Sequence, residues 1–488
     1  MPEEIINLEN VYYSYPQGKE WALENISLSI EEGEFLAVMG ENGAGKTTFC
    51  KLFNGIIPHH SGGRLLGTVT IGGESTKKAA VPFLALKAGM VLDDPDAQIF
   101  TSSVRQEAAF GPENLMLPPQ EIEKRIEYAL YAAGLAGFEQ RLPVTLSGGE
   151  KQRLAIAAAL AMKGKILVLD EPLSRLDPQG ADELMSVLKD IREKYQITVI
   201  MATHNSGKAA EFADRVCVLK NGRVIACDTA KNIFASRALL EGNGIQPSAC
   251  ADIFSAFPVS SEKMPCNKTK TPAIEITGFS YLYGQSTCIE NFDLTIADND
   301  FTAIIGRNGC GKTTLLKNIA GLLRPCCGDI FIRGKNIKEL SVSAISKEAG
   351  FVMQNPDTQL FTDSVFNEVS FALRNSGLSK TEIHRRAEDA LRTVGLEDYN
   401  AFPHALSRAD RTRTVHASVL AMGCKIIILD EVDVGQDYMG SLRIMNIARE
   451  LHSRGFTIIF VTHNMSLVCE YARRLIIMDR EGTVKYEK

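Results

Sequence analysis

The sequence predicts an α/β protein of two tandem domains, each a mainly parallel sheet covered by helices, and three observations carry that prediction. Two glycine-rich loops, Gly40 to Thr47 and Gly306 to Thr313, share the spacing of a glycine, four residues and Gly-Lys-Thr. An apolar strand ending in Asp-Glu also occurs twice, as Ile166 to Glu171 and Ile426 to Glu431. The distances between copies are nearly constant: 266 positions from Lys46 to Lys312, 260 from Asp170 to Asp430, and 259 from His204 to His463. Constant spacing of unlike motifs means that a whole domain is duplicated. Alternating strand-like and helix-like segments in each half imply parallel pairing.

The loops explain their own residue types. Phe301 to Ile305 reads as a buried strand entering the second loop, and Lys312 to Leu323 as the helix leaving it. Gly306, Gly309 and Gly311 let the backbone close around a polyphosphate, with successive N–H groups and the helix N-terminus pointing at the anion. Asn308 lies in the same loop, Lys312 reaches the β and γ phosphates, Thr313 ligates Mg²⁺, and Thr314 follows. The first copy offers Gly40, Asn42, Gly43, Gly45, Lys46, Thr47 and Thr48 in the same register. Asp170 and Asp430 end apolar strands, which brings their carboxylates out beside the phosphates, where Mg²⁺ requires oxygen ligands.

Between the loop and the Asp-Glu strand each half carries a more helical insert. Ile122, Ile126, Leu130 and Ala133 share one helical face in the first half, and Ile383, Ala387, Leu391 and Val394 do so in the second. Ser379 and Glu382 have the spacing of a capping box. The boundaries predicted are a first domain at 1–235, a helical extension and linker at 236–272, and a second domain at 273–488. Within the junction, Ala238 to Phe257 reads as partly helical and Pro258 to Pro272 as an exposed linker.

Composition narrows the class. A net charge of −6 and a hydrophobic content of 45% describe an ordinary globular protein and argue against nucleic acid as the main partner. No apolar run approaches the roughly 18 residues that cross a bilayer, and Met1 to Leu8 lacks the features of a secretory signal. The expectation is a chain that stays in the cytosol unless a membrane partner holds it at the surface. The 11 cysteines form no metal-spaced pair and read as reduced thiols, with Cys310 and vicinal Cys326-Cys327 as small residues in turns.

With both loops, both Asp-Glu strands and the segment Leu146-Ser147-Gly148-Gly149-Glu150 in view, the chain closely resembles ABC-type ATPases over nearly its full length. The resemblance implies a P-loop NTPase core in each half, with an antiparallel β subdomain and a helical signature subdomain. It also implies ATP and Mg²⁺ as cofactors. Ser147, Gly148, Gly149 and Glu150 match the family's signature, which meets the ATP held on the opposite phosphate loop when two domains face head to tail. Here both domains are on one chain, so the resemblance implies that the halves pair within it. Glu171 and Glu431 are similar to the residue that polarises the attacking water, and His204 and His463 to the histidine at the γ-phosphate. Gln354 matches the family's glutamine near Mg²⁺ and the catalytic centre. Tyr15 and Tyr283 match the aromatic on which adenine stacks; with Tyr12, Tyr13 and Tyr281 beside them, the alternative is that they are strand-edge tyrosines packing locally.

A narrower resemblance, to energy-coupling-factor (ECF) importers of vitamins and transition-metal ions, comes from Gln354-Asn355-Pro356-Asp357-Thr358-Gln359-Leu360-Phe361. Its partner is Asp93-Asp94-Pro95-Asp96-Ala97-Gln98-Ile99-Phe100, and Leu239 to Phe257 is similar to the extension of those ATPases. It implies a transmembrane coupling subunit and a small substrate-binding membrane protein as partners, no nucleic acid, and a peripheral place on the cytoplasmic face of the cell membrane. Asp93, Asp94, Asp96, Asp357 and Asp363 supply acidic character for such a partner, or simply a solvated loop. The ATPase of another ABC importer or exporter remains an alternative. So does a soluble ABC protein acting on the ribosome, against which the short linker and low pI speak.

The copies differ at telling positions. Ser407-Arg408-Ala409-Asp410 stands where the first half has Ser147-Gly148-Gly149-Glu150, Asp93 stands against Gln354, and Val434 against Ser174. Side chains replace the glycines where backbone must approach a phosphate, and an ionised aspartate cannot donate as glutamine does. Under head-to-tail pairing, Lys46, Asp93, Asp170, Glu171 and His204 share a site with every altered element. Lys312, Gln354, Asp430, Glu431 and His463 join the intact signature. The expectation is one site that hydrolyses ATP and one that mainly binds it.

Overall fold

Each phosphate loop leaves a strand that lies inside a six-stranded sheet, and the reason is visible in the strand's composition. Phe35–Met39 is buried at every residue, as are Ile166–Asp170 and Thr198–Ala202. Continuous apolar runs of this kind are what a parallel sheet covered on both faces demands. The computed structural model describes residues 4–18, 20–247, 272–283, 286–431, 433, 436–479 and 483–487. The chain divides into two units, Met1–Ala249 and Cys250–Lys488.

In the first unit the sheet runs Ala88–Val91, Ile166–Asp170, Thr198–Ala202, Phe35–Met39, Arg215–Lys220 and Arg223–Thr229 from edge to edge. All neighbours are parallel except the last pair, a hairpin. The second unit repeats this order with Ala349–Val352, Ile426–Asp430, Thr457–Val461, Phe301–Gly306, Arg474–Met478 and Thr483–Glu487. Each unit adds a four-stranded antiparallel sheet, led by the pairing of Glu4–Ser14 with Leu23–Glu31 and of Ile274–Tyr283 with Ser286–Ile296. The mixed α/β architecture is the one expected.

The helical insert is present in both units. Val104–Asn114, Pro119–Ala132 and Gly148–Ala161 pack in the first, and Val365–Arg374, Lys380–Val394 and Arg408–Met422 in the second. Ile126, Leu130 and Ala133 are buried with Ile122 packed beside them, and Ala387, Leu391 and Val394 are buried with Ile383 beside them. The helical faces therefore point inward as their spacing predicts.

Two expectations need correction. The helix after the second loop spans Lys312–Ile319 and stops short of Leu323. Gly321 takes φ +72°, and a Cβ there would lie 2.5 Å from Ile345 Cδ1, so the chain turns at a left-handed position that favours glycine. Ser379 does cap its helix, accepting from Glu382 N at 3.3 Å, but the Glu382 carboxylate turns to Arg385 and Arg386. The reciprocal capping box forms instead at Ser147 and Glu150. In the junction, helix Arg237–Glu241 is followed by Ile245, and Leu240 and Ile245 bury against Met39, Val216 and Ile233 of the first unit. The rest of the segment assigned to helix and linker, 248–271, lies outside the described residues.

Candidate nucleotide sites

The glycines of the loops answer to geometry. Gly40 has φ +146°, and a Cβ on it would lie 2.2 Å from Leu219 O; Gly306 has φ +156°, with Met478 O at 2.3 Å from the same position. No other residue can bring strand and loop so close to the neighbouring strand. Helices beginning at Lys46 and Lys312 then follow, so that both lysines are buried in the loop. Lys46 Nζ donates to Gly40 O at 2.9 Å and Glu41 O at 3.2 Å, and Lys312 Nζ to Gly306 O at 2.8 Å and Arg307 O at 3.1 Å.

The strand-end carboxylates converge on the loops. Thr47 Oγ1 donates to Asp170 at 3.1 Å, and Thr313 Oγ1 to Asp430 at 3.2 Å. Burial pushes the Asp430 carboxyl up to about 6 and raises that of Asp170, which a divalent cation would reverse. Hydroxyl and carboxylate oxygens suit Mg²⁺. Among the described residues no three His, Cys, Asp or Glu side chains cluster as a metal cage. One hydroxyl and one carboxylate at each loop fit an ion that takes its remaining ligands from water and nucleotide phosphates. Thr48 and Thr314 are buried in the first helical turn, and Thr48 Oγ1 meets the hydroxyl of Tyr15 at 3.1 Å. Tyr15 is 37% exposed beside the loop, whereas Tyr13 is fully buried. Tyr283 ends strand Ile274–Tyr283.

Each histidine joins the loop asparagine to the glutamate after the strand. His204 Nε2 lies 3.0 Å from Asn42 Oδ1 and 3.3 Å from Glu171 Oε1; His463 Nε2 lies 3.1 Å from Asn308 Oδ1 and 3.3 Å from Glu431 Oε1. Both glutamates have φ +49°, a left-handed conformation that costs energy in a non-glycine residue and clusters at functional sites. Sequence reading placed the asparagines in the loops but missed this bracing role. The signal was there in their equal registers.

The two constellations then part. Gln354 Nε2 donates to Glu431 Oε2 at 2.8 Å. Asp93, its counterpart, cannot donate when ionised, and there Lys46 Nζ takes up His204 Nε2 at 3.1 Å and Glu171 Oε1 at 3.9 Å. Burial pushes the Glu171 carboxyl up to about 7; the Asp170 and Asp93 charges add to this and Lys46 opposes it. His204 is held well below the ordinary imidazole value by burial and Lys46. Burial also opposes ionisation of Glu431, yet the hydrogen bond and charge of His463, with Lys312, hold its carboxyl below the ordinary value.

The signature segments differ as well. Ser147 N donates to Glu150 Oε2 at 2.7 Å, and Glu150 N to Ser147 Oγ at 3.3 Å. A Cβ on Gly148 would meet nothing within 4 Å, and on Gly149 only Leu176 Cδ2 at 3.7 Å. Nothing inside the unit requires these glycines. In the second unit Asp410 is too short for the same box. Ser407 Oγ donates to its carboxylate at 2.8 Å, and Arg413 pairs with it. Val434 lies outside the described residues.

The Pro-Asp-x-Gln segments are built alike. Gln98 and Gln359 each clamp the preceding strand end, accepting from Leu92 N at 3.0 Å and Met353 N at 2.7 Å. Buried Glu107 and Glu368, which sequence reading missed, collect the backbone N–H groups of Phe100 and Thr101 and of Phe361 and Thr362. Phe100 is thereby held exposed against Phe110, and Phe361 against Phe371, each pair edge to face at 4.7 Å. The acidic character is largely engaged within each unit. Asp94 pairs with Arg175 at 2.9 Å, Asp96 with Lys151 at 2.6 Å and Asp357 with Arg411 at 2.8 Å, while Asp363 accepts from Asn367.

The profile described as ABC transporter matches residues 23–174 and again 289–433, and each match runs from before a phosphate loop to just beyond an Asp-Glu pair. The chain belongs to the ABC transporter family. It is a tandem ATP-binding protein of that family and an ATPase. An ABC transporter ATP-binding protein of Methanosarcina acetivorans is 36% identical over 98% of this chain and 85% of its own length. One from Caldanaerobacter subterraneus subsp. tengcongensis is 34% identical over 99% of this chain and 91% of its own. Among solved structures, cbiO1 from Clostridium perfringens, titled part of the ABC transporter complex cbiONQ, is similar at 36% identity. That likeness covers 49% of this chain and 94% of that one, with a TM-score of 0.45. No helix among the described residues is long and apolar enough to cross a membrane.

Proposed function

We propose that this ABC ATPase is the energy-coupling subunit of an ECF-type importer, taking up a vitamin or a transition-metal ion, and that it hydrolyses ATP at the second phosphate loop while the first mainly binds it. The observation that carries the division of labour is the hydrogen bond from Gln354 to Glu431, set against Asp93 beside a Glu171 that burial drives toward the protonated form. A general base must be ionised to accept the proton of the attacking water. Glu431 meets that requirement across neutral pH, whereas Glu171, pushed up to about 7, meets it only in part.

In head-to-tail pairing the Ser147 to Glu150 segment serves the second loop and the Ser407 to Asp410 segment the first. Gly148 and Gly149, unexplained by their own unit, are then explained by a phosphate approaching from the other. Thr313 and Asp430, with Gln354 nearby, would hold Mg²⁺, which would supply charge neutralisation at the phosphates.

Docking to a transmembrane coupling subunit is supported by the exposed aromatic pairs that repeat in both units, since apolar rings rigidly held in solvent mark interaction surfaces. The chain would then sit peripherally on the cytoplasmic face of the membrane. Purification in mild detergent from native membranes, with mass spectrometry of the co-purifying proteins, tests this. One multi-span protein with one or more small membrane proteins is expected, and Phe100→Asp combined with Phe361→Asp should lose them while ATPase activity persists. Recovery of ribosomal proteins with none from the membrane would overturn the transport role.

A further inference from the structure

The hairpin that closes the first six-stranded sheet carries two cysteines that neither nucleotide site uses. Cys217 lies in strand Arg215–Lys220 and Cys227 in strand Arg223–Thr229, and the antiparallel register sets them directly opposite each other. Opposed residues share a face of the sheet, and here both pack toward one core, with Leu219 and Val224. Antiparallel partners stand with Cα atoms roughly 4.5–5.5 Å apart, within the roughly 4.4–6.8 Å that a disulfide spans. Both are free thiols.

The two thiols are chemically unlike. Cys217 is buried and Cys227 partly exposed. Arg215 Nη2 donates to Cys227 Sγ at 3.2 Å, and its other nitrogen is anchored on Ser29 O at 3.1 Å and Glu34 at 3.2 Å. The Cys217 thiol hydrogen bond holds Cys227 below the ordinary thiol value, and Arg215 reinforces this against burial; the same bond and burial push Cys217 well above it. A guanidinium-backed, reachable thiol beside a shielded one is the arrangement of an attacking and a resolving cysteine. The second copy of the hairpin sets Ile476 opposite Lys485, so the pair belongs to the first unit alone.

We infer that Cys217 and Cys227 form a modification site that reacts with oxidised low-molecular-weight disulfides and closes into a cross-strand disulfide. The Cys227 thiolate attacks one sulfur of the small disulfide, forming a mixed disulfide and releasing one thiolate. Cys217 gives its proton to solvent and attacks the Cys227 sulfur, expelling the second thiolate. Two protein thiols lose two electrons, and one small disulfide becomes two thiols. The bond closes in the hairpin that walls the first phosphate loop, where Gly222 N donates to Ala44 O at 3.0 Å.

The test is titration of the full native chain with oxidised glutathione, alkylation of remaining thiols, and mass spectrometry of a digest made without reductant. The peptide linking Cys217 to Cys227 is expected, with exposed Cys326 and Cys327 reporting that the reagent is active. Cys217→Ser should trap glutathione on Cys227, and Cys227→Ser should slow modification of Cys217 at least tenfold. Glutathione on Cys326 or Cys327 without the linked peptide in the unsubstituted chain would overturn the inference. So would Cys217 reacting at an undiminished rate in Cys227→Ser.

Discussion

Gln354 Nε2 donates to Glu431 Oε2 at 2.8 Å, and the matching position before Glu171 holds an aspartate, Asp93. The two constellations share most of their contacts and part at this side chain and at Lys46, which reaches His204 and Glu171. The histidine, the loop asparagine, the threonine to strand-end aspartate bond and the left-handed glutamate recur in both units.

Removing each glutamate's charge separates the two sites. Glu431→Gln is expected to lower the steady-state ATPase rate of the full chain by roughly 10²-fold or more, the size of a lost general base. Glu171→Gln should retain a large part of the rate, because Glu171 lacks the Gln354-type donor and its carboxyl, pushed up to about 7, is only partly ionised near neutrality. Phosphate release assayed at saturating ATP and pH 7.5 decides it. Equal losses would make both sites hydrolytic.

Gln354→Asp rebuilds the first unit's chemistry in the second. In the unsubstituted chain Glu431 is held below its ordinary value, so the base is ionised throughout neutral pH and its acid limb lies below pH ~4.5. An added carboxylate nearby disfavours ionisation of Glu431 and raises its pKa, as Asp93 does for Glu171. The acid limb of the variant should therefore move to higher pH than that of the unsubstituted chain, with the lost activity recovered on the alkaline side. A pH profile of kcat measures the shift. An unmoved acid limb would show that residue 354 does not set the base.

Much of this was legible in the sequence because parallel strands buried on both faces must be apolar runs, and phosphate loops must be glycine-rich. The Asp170 and Asp430 strands, the helical faces through Ile126 and Leu391, and the two repeats follow from those demands. Partnerships made across long separations were not legible. The Glu107 and Glu368 carboxylates that pin the exposed phenylalanines depend on a loop fold that no periodicity encodes. The choice of Glu382 to pair with arginines instead of closing its capping box is likewise a competition between side chains.

Two glycines should respond in opposite ways. Gly40→Ala forces a Cβ to within 2.2 Å of Leu219 O at φ +146°, and is expected to destabilise the first unit by about 1–3 kcal/mol. Gly148→Arg, which copies the residue of the second signature, places a Cβ that meets nothing within 4 Å in its own unit and should leave stability within roughly 0.5 kcal/mol. In the proposed pairing it nonetheless crowds the ATP on the second loop, so the ATPase rate should fall at least tenfold. Denaturant unfolding alongside the ATPase assay separates the two effects.

His416 offers a test of stability that leaves the nucleotide chemistry alone. It is buried in helix Arg408–Met422, its Nδ1 lies 2.7 Å from Thr412 O, and its Nε2 has no partner beside an apolar hollow lined by Val352, Val419, Leu429 and Ile444. The first unit has Ile156 at the matching position, fully buried. Burial holds the imidazole below its ordinary value, so the folded chain resists a proton that the unfolded chain accepts below about pH 6.5. The unfolded state then binds more protons, and stability falls as pH drops through that value. His416→Ile removes both the orphaned nitrogen and this acid-side loss. The variant should gain about 1–2 kcal/mol at pH 7.5, and the gain should widen at pH 5.5. Tm measured at the two pH values checks both parts: an equal gain at each pH would show that His416 titrates normally, and a loss at pH 7.5 would show that the Thr412 hydrogen bond outweighs the unpartnered nitrogen.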